Sequence, residues 1–422
     1  MTDELITTLA KTGIPRVISR TSVRQYKNST KPLAQIAREL NVDAVLEGAI
    51  LRSGSRVRIT AELIQATTER HLWANEYEGD LKDVLKLESE VAQAIAREIN
   101  VNIAPGTEKK LTAPQQVNPE AYQSYLKGRY FWNQLTEEGL KRSIEYFQKA
   151  VTQDSHFALP YVGISNAYIL LGNWGIISDN EGYSKAKEAA EKALQIDSSL
   201  GEAYGALAFT KYRLDWDWQG ADEDFKKAVA LNPNNSETHL WYALYLRSEG
   251  RFAEAIAEAK AGRQLDPLSP IINMTVGSTY YWAHEYDTSI TELLKTLELA
   301  PTFRLAHSYL ARTYLQKGLL EKARVESTAA GEDNDVFILA VSGHGKQALN
   351  QVLGEPTDPY VVAVIYAILH DREQAFRWLE RAYQQRSKSV LDIKVDPFFD
   401  SLHGDPRFAD LLRRIGLPQL SV

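Results

Sequence analysis

From Tyr122 onward, apolar residues return at helical spacings of three and four, and the stretches they form end alike: AVTQDS at 150–155, ALQIDS at 193–198, AVALNP at 228–233, GRQLDP at 262–267 and TLELAP at 296–301. Successive endings lie 43, 35, 34 and 34 residues apart. A period near 34 corresponds to one helix-turn-helix per repeat. Such a hairpin cannot bury its apolar face alone, so each is expected to pack only on its neighbours. Ala186, Ala190, Ala193, Ala221, Ala228 and Ala255 stand where two helices must approach closely. Phe147, Phe225 and Leu293 take the bulky second-helix position, and Tyr168, Tyr212, Tyr280 and Tyr314 recur late in the first helix. Gly172, Gly250 and Gly318 mark the turn inside three hairpins, where a left-handed backbone costs least without a Cβ. The wider first spacing places extra residues around Asn173–Gly182, a polar stretch expected in the turn of the second repeat. Weaker hairpin patterns follow at Asp335–Leu353, turning at Gly343-His344-Gly345, and at Tyr360–Gln385. Val395–Pro418 then carries two Asp-Pro stops and one short amphipathic helix, as a terminal cap requires.

The first hundred residues have a different rhythm. Val42–Arg52 and Arg56–Ile64 are alternating or apolar runs rich in β-branched residues, joined by Ser53-Gly54-Ser55, which predicts a hairpin. Val17-Ile18-Ser19 and His71–Tyr77 read as shorter strands, and Asp3–Lys11, Pro32–Leu40 and Asp83–Asn100 as helices. The Pro-rich polar stretch Ala104–Pro119 reads as a linker. The expected organisation is therefore an α/β module at 1–104, a linker at 105–119, helical repeats at 120–334, and degenerate helical repeats with a cap at 335–422.

With the terminal Pro or Ser taken as position 32, the repeats resemble the tetratricopeptide family. Their spans are Ser124–Ser155, Ala158–Ser198, Glu202–Pro233, Ser236–Pro267 and Pro270–Pro301, with a sixth from Arg304. The resemblance implies an all-α superhelical solenoid that binds a protein or peptide along its inner face. First-helix positions 2, 5, 9, 12 and 13 would line that face, and they give Trp132, Asn166, Arg213, Leu240, Arg247, Met274, Tyr281, Trp282 and Arg312. The arginines are expected to pair with carboxylates of the partner and the aromatics to anchor it; the competing reading packs Trp132 and Trp282 against neighbouring helices. The carboxylate-clamp pattern of chaperone-binding members is missing, because the repeat with Asn166 at position 9 has Val162 at position 5.

The amino-terminal run PRVISRTSVRQYK, followed by IARELNVDAVLEGAILRSGSRVRITAELIQATTERHLWANEYEGDL, resembles the TolB-like domain that precedes such repeats in bacterial multidomain signalling and transcription-regulator proteins. Leu214–Trp218 (LDWDW) and the DPRFADLLRRIGLP ending are similar to the same chains. The resemblance implies an upstream DNA-binding, kinase or cyclase module as a partner. It also implies that the chain starts inside the TolB-like domain, without its first strand, so that a sheet edge is left open to self-association and Met1 need not be the true start.

Charge and chemistry narrow the function. The chain carries a net charge of −7, all of it beyond residue 104. Leu5–Arg38 holds Lys11, Arg16, Arg20, Arg24, Lys27, Lys31 and Arg38 with no acidic residue. Little aromatic interleaving accompanies them, so a solvated face or a contact with the acidic repeats is expected rather than nucleic-acid binding. There is no cysteine, no apolar run long enough to span a membrane and no signal-peptide layout, so the cytoplasm is expected, or the periplasm if a longer product carries an upstream span. Gly343–Lys346 departs from a phosphate loop at Ala340 and Gln347. His284-Glu285 departs from the zinc-protease motif at Thr288, and His239 and His307 share a repeat position that reads as packing. No catalytic residue, metal ligand or cofactor is assigned. The expected function is a non-enzymatic interaction scaffold or sensor half of a bacterial signalling or transcription-regulating system. An envelope or export accessory factor and an unrecognised enzyme are the rival readings.

Overall fold

The computed structural model describes Ile6, Leu9 and residues 16–27, 29–98, 117–333, 335–354 and 357–419. The helix expected at Asp3–Lys11, save for Ile6 and Leu9, and most of the linker at Ala104–Pro119 lie outside the described residues. Two compact units make up the chain, one of residues 1–210, 221–238 and 264–267, the other of 211–220, 239–263 and 268–422.

The first unit opens with α1 (Arg20–Arg24), α2 (Leu33–Leu40), strands β1 (Ala44–Ser53), β2 (Arg56–Gln65) and β3 (Arg70–Asp80), and α3 (Val84–Glu98). The strands form an antiparallel sheet in the order β1-β2-β3. Register pairs Leu46 with Leu63 and Ile59 with Tyr77, and is irregular between Leu63 and Ile64. Gly54 turns the first hairpin at φ 61°, a left-handed conformation that favours glycine. Alternation along β2 buries Val57, Ile59, Ala61 and Leu63 on one face, and Val84, Leu87, Val91, Ala92 and Ile95 of α3 share a core with the first three. The same core runs on into Ala121, Tyr122, Tyr125 and Phe147, so the sheet module and the first helical hairpin are buried against one another.

Val17–Ser19 is not a strand. The Val17 amide donates to Asn234 Oδ1 at 2.8 Å and the Ser19 amide to the Leu265 carbonyl at 2.7 Å. Turn residues of the repeats thus take the donors that a strand would have offered a sheet. Ser22 Oγ then donates to Asp266 Oδ1 at 2.5 Å, at the start of α1. Part of the basic segment also meets the repeats, through Arg24 Nη1 and the Asn133 carbonyl at 2.7 Å.

Hairpins follow as α4 (Pro119–Trp132) with α5 (Glu137–Gln153), α6 (Leu159–Asn173) with α7 (Asp179–Ile196), and α8 (Gly201–Thr210) with α9 (Trp218–Leu231). Next come α10 (Ser236–Ser248) with α11 (Phe252–Leu265), α12 (Pro270–Trp282) with α13 (Tyr286–Leu299), and α14 (Arg304–Gln316) with α15 (Leu320–Ala329). Two shorter pairs are α16 (Val336–Val341) with α17 (Gly345–Gly354) and α18 (Pro359–Ile368) with α19 (Arg372–Gln384). Size complementarity explains the packing: Phe147 is fully buried between Gly128 and Gly163, where an added Cβ would meet its ring at 2.4 and 2.5 Å. Each hairpin turn holds one residue of positive φ: Leu135, Gly175, Trp216, Gly250, His284, Gly318, Gly343 and His370. Gly172, expected at a turn, instead lies inside α6 where it faces Gly182 and Tyr183, and Gly175 takes the left-handed position.

The second unit breaks the rule that each hairpin touches only its neighbours. Beyond α19 the chain forms 3-10 turns at Lys388–Asp392 and Pro397–Leu402 and a last helix, α20 (Pro406–Ile415). Trp218 Nε1 donates to the Ile415 carbonyl at 2.9 Å, and the Arg386 guanidinium lies 4.4 Å from the Trp216 ring. The LDWDW and GLP segments therefore meet. A terminal segment long enough to reach back finds apolar surface there that stacking alone leaves uncovered.

Candidate functional site

Arg247, Tyr281, Trp282 and Arg312 come together in the second unit, but not as an exposed surface. Arg247 is 4% exposed, and its Nη2 reaches Asp392 Oδ1 at 3.1 Å and Oδ2 at 3.0 Å, with Ser248 donating to the same carboxylate. Its guanidinium also lies 5.0 Å from the Trp282 ring. Tyr281 and Trp282 are buried with Val395, beside Phe252, Tyr286 and Tyr309. Arg312 sits 5.1 Å from the Phe337 ring, which stacks on Phe398 at 5.5 Å, and Tyr360 Oη donates to Asp396 Oδ2 at 2.7 Å. Arg213 lies against Tyr212, 4.7 Å from its ring, while Leu240 is half-buried and Met274 buried. The carboxylate that was expected from a peptide partner at Arg247 is thus supplied by the chain's own Asp392.

That segment is part of the core. Val390, Leu391, Ile393, Val395 and Phe399 are each at most 6% exposed. At roughly 2 kcal/mol per buried side chain their burial contributes on the order of 10 kcal/mol, comparable with the net stability of a domain, so no peptide exchanges with it readily. Burial raises Asp396 to about 6, opposed by the Tyr360 hydrogen bond and Arg312.

The first unit differs. Trp132 of α4 and Asn166 of α6 meet Arg129, Glu202 and Glu237, and all five are half-buried. The Arg129 guanidinium stands 5.3 Å from the Trp132 ring. Asn166 Nδ2 donates to Glu237 Oε2 at 3.0 Å, and Asn232 Nδ2 to Glu202 Oε1 at 2.6 Å. Trp132 Nε1 and Asn166 Oδ1 are buried and have no hydrogen-bond partner among the described residues. Burial pushes the Glu237 carboxyl up to about 7; the Arg129 charge pulls it down and the Glu202 charge adds to the rise. Glu237 occupies position 2 of its repeat, an inner-face position in the register that gave the other candidates. Glu202 and Arg129 fall at positions 1 and 6, which that register leaves out.

His239 and His307 do share an environment: His239 Nδ1 is 2.5 Å from Glu258 Oε2, and His307 Nδ1 is 2.6 Å from Glu326 Oε2. No group of three metal-ligating side chains occurs among the described residues, and no helix among them is long and apolar enough to cross a membrane.

A family profile described as tetratricopeptide repeat matches residues 225–257, which cover the end of α9, all of α10 and the start of α11. The hairpin segment at 225–257 is thus a tetratricopeptide repeat by its profile. The chain is similar to a Rhizobium meliloti protein named as an adenylate cyclase, 29% identical over 219 residues, covering 51% of this chain and 36% of that one. It is also similar to the transcriptional regulator HilA of Salmonella typhimurium, 21% identical over 268 residues, covering 63% of this chain and 47% of that one. It spans less than half the length of either relative. Among solved structures, the tetratricopeptide protein YrrB matches with a TM-score of 0.32 at 24% identity, covering 47% of this chain and 94% of that one. The tetratricopeptide repeats make the chain a protein-protein interaction scaffold in type.

Proposed function

We propose that the chain binds a peptide segment of a partner protein on the first-helix face of its first unit, around Trp132 and Asn166. One observation carries this reading: the indole N–H of Trp132 and the amide carbonyl of Asn166 lack hydrogen-bond partners among the described residues on side chains that are only half-buried, whereas Trp282 Nε1 and Arg247 Nε, also unpartnered, belong to side chains at most 5% exposed. Leaving such groups unmade costs about 1–3 kcal/mol each, and a bound peptide backbone recovers that cost. Arg247, Tyr281, Trp282 and Arg312 are then structural, because later segments of the chain pack over them.

Selecting a random-peptide library on the full chain tests this. Trp132→Phe, which keeps the ring and removes the N–H, and Asn166→Ala are expected to lose the selected peptides, and Arg312→Lys to keep them. Retention by the first two variants overturns the reading.

The partner belongs, on this proposal, to a bacterial signalling or transcription-regulating system. Similarity to HilA and to the cyclase-named protein supports this, as does the resemblance of the amino-terminal segment to TolB-like domains. The chain itself would not be catalytic; incubation with ATP should yield no cyclic nucleotide above a buffer blank.

A further inference from the structure

The two edges of the sheet, β1 and β3, differ in how their sequences guard them. β3 carries Arg70, Glu76, Glu78 and Asp80, charges of the kind that keep an edge from pairing with another chain. β1 has no charge between Gly48 and Leu51, and there Ile50 is 48% and Leu51 67% exposed. Backbone direction decides which groups this edge offers. The Ala66 amide donates to the Asp43 carbonyl at 2.9 Å, and pairing then runs without a shift from Ala44 opposite Gln65 to Ser53 opposite Arg56. Odd-numbered residues of β1 therefore turn their N–H and C=O groups to β2, while Leu46, Gly48, Ile50 and Arg52 turn theirs outward. Among the described residues those outward backbone groups have no hydrogen-bond partner.

We propose that this edge pairs with the same edge of a second copy of the chain, antiparallel about a two-fold axis at Ile50. Self-complementarity names the occupant. The exposed stretch Glu47–Ser53 is centred on Ile50, so that axis covers it from end to end. It sets Ile50 against Ile50, Leu51 against Ala49, Arg52 against Gly48 and Ser53 against Glu47. A large side chain meets a small one in both pairs next to the axis, and no like charges face each other. Outward residues meet outward residues, so the free N–H and C=O groups of Gly48, Ile50 and Arg52 gain partners in both copies. The charged β3 edges are left at the two ends of the joined sheet, and the assembly closes at two copies.

Sedimentation of the full chain from about 1 μM to about 1 mM tests this, the range in which a small interface associates. The parent should pass from the mass of one chain to that of two. Ile50→Lys and Ile50→Glu each set like charges opposite one another at the axis and should each weaken association roughly 10-fold or more. An equimolar mixture of the two variants should dimerise again, because opposite charges then face each other. Ile50 is exposed, so both variants should melt near the parent. The chain has no cysteine, which allows a second readout should a charge variant fail to fold. Oxidised Ile50→Cys should form an interchain disulfide, since hydrogen-bonded residues face each other at about 5.5 Å between Cα atoms. Arg52→Cys should not, since its two copies lie roughly 14 Å apart along the strands. A parent that stays monomeric at about 1 mM, or charge variants that dimerise like the parent, overturn the pairing. A mixture that stays monomeric, or Arg52→Cys that crosslinks as readily as Ile50→Cys, overturns the axis at Ile50.

Discussion

The first-helix faces of the two units follow one repeat register and have opposite fates. In the second unit Arg247 is closed by Asp392, Tyr281 and Trp282 pack with Val395, and Phe337 stacks on Phe398, so that face is buried by a later segment of the same chain even though Trp282 Nε1 and Arg247 Nε have no hydrogen-bond partner among the described residues. In the first unit Trp132, Asn166 and Glu237 remain half-buried, and the Trp132 N–H and the Asn166 carbonyl lack partners among the described residues. The contrast teaches that a repeat register tells which residues line a face but not whether that face is available. Availability depends on segments far away in sequence.

The sharpest way to break the comparison is to open the second unit. Asp392→Ala leaves the Arg247 guanidinium buried without its counter-charge. Removal of one partner of such a pair costs about 3–5 kcal/mol. Amides of α10 and α12 should lose hydrogen-exchange protection, while those of β2 and α3 should not. Adding Arg247→Met to Asp392→Ala should restore much of the loss, because a neutral side chain of similar length needs no partner. If exchange in α10 is unchanged in the single variant, the second unit's face is not held by its carboxy-terminal segment.

The first unit responds in the opposite sense. Glu237 has a folded pKa of about 7 against an unfolded value near 4.5, so the native state binds more protons than the unfolded state between those limits, and stability falls as pH rises through them. Burial causes the rise, the Arg129 charge on α4 opposes it and the Glu202 charge on α8 adds to it. Glu237→Gln should therefore raise stability at pH 8 by roughly 1–3 kcal/mol and change it little at pH 4, where the glutamate is already protonated. Denaturant melts across that range check the sign. A loss of stability at pH 8 would mean that the Glu237 charge is compensated after all.

How much of this was legible in the sequence depends on the range of the interaction. The hairpins were, because a helical repeat is encoded in local spacing. The β1-β2 hairpin was visible in its alternation and in Gly54, and even the degenerate pairs α16-α17 and α18-α19 showed in their residues. The fate of Val17–Ser19 was not visible, since its hydrogen bonds go to Asn234 and Leu265, more than two hundred residues away. Nor was the burial of Arg247, whose partner lies 145 residues on. A search for arginines and aromatics also passed over Glu237, although its repeat position marked it.

The smallest effects come from the hairpin turns, where the two units again differ. Leu135, in the first unit, has φ 50° and is 50% exposed, so it holds a left-handed conformation without burying much in return. Such a conformation costs a non-glycine residue roughly 1–2 kcal/mol, while glycine's extra freedom in the unfolded chain returns about 0.5–1 kcal/mol of that. Leu135→Gly should therefore stabilise the first unit slightly, by about 0.5 kcal/mol. Trp216, in the second unit, has the same kind of backbone, with φ 61°, but its ring lies 5.7 Å from Tyr383 and beneath the Arg386 guanidinium. In Trp216→Gly the relief of strain is outweighed by the lost ring contacts, and the variant should be less stable than the parent. Opposite signs for two substitutions at equivalent turns would show that packing by a distant segment, rather than the local backbone, decides which residue a turn can carry; equal signs would show that the backbone decides in both units.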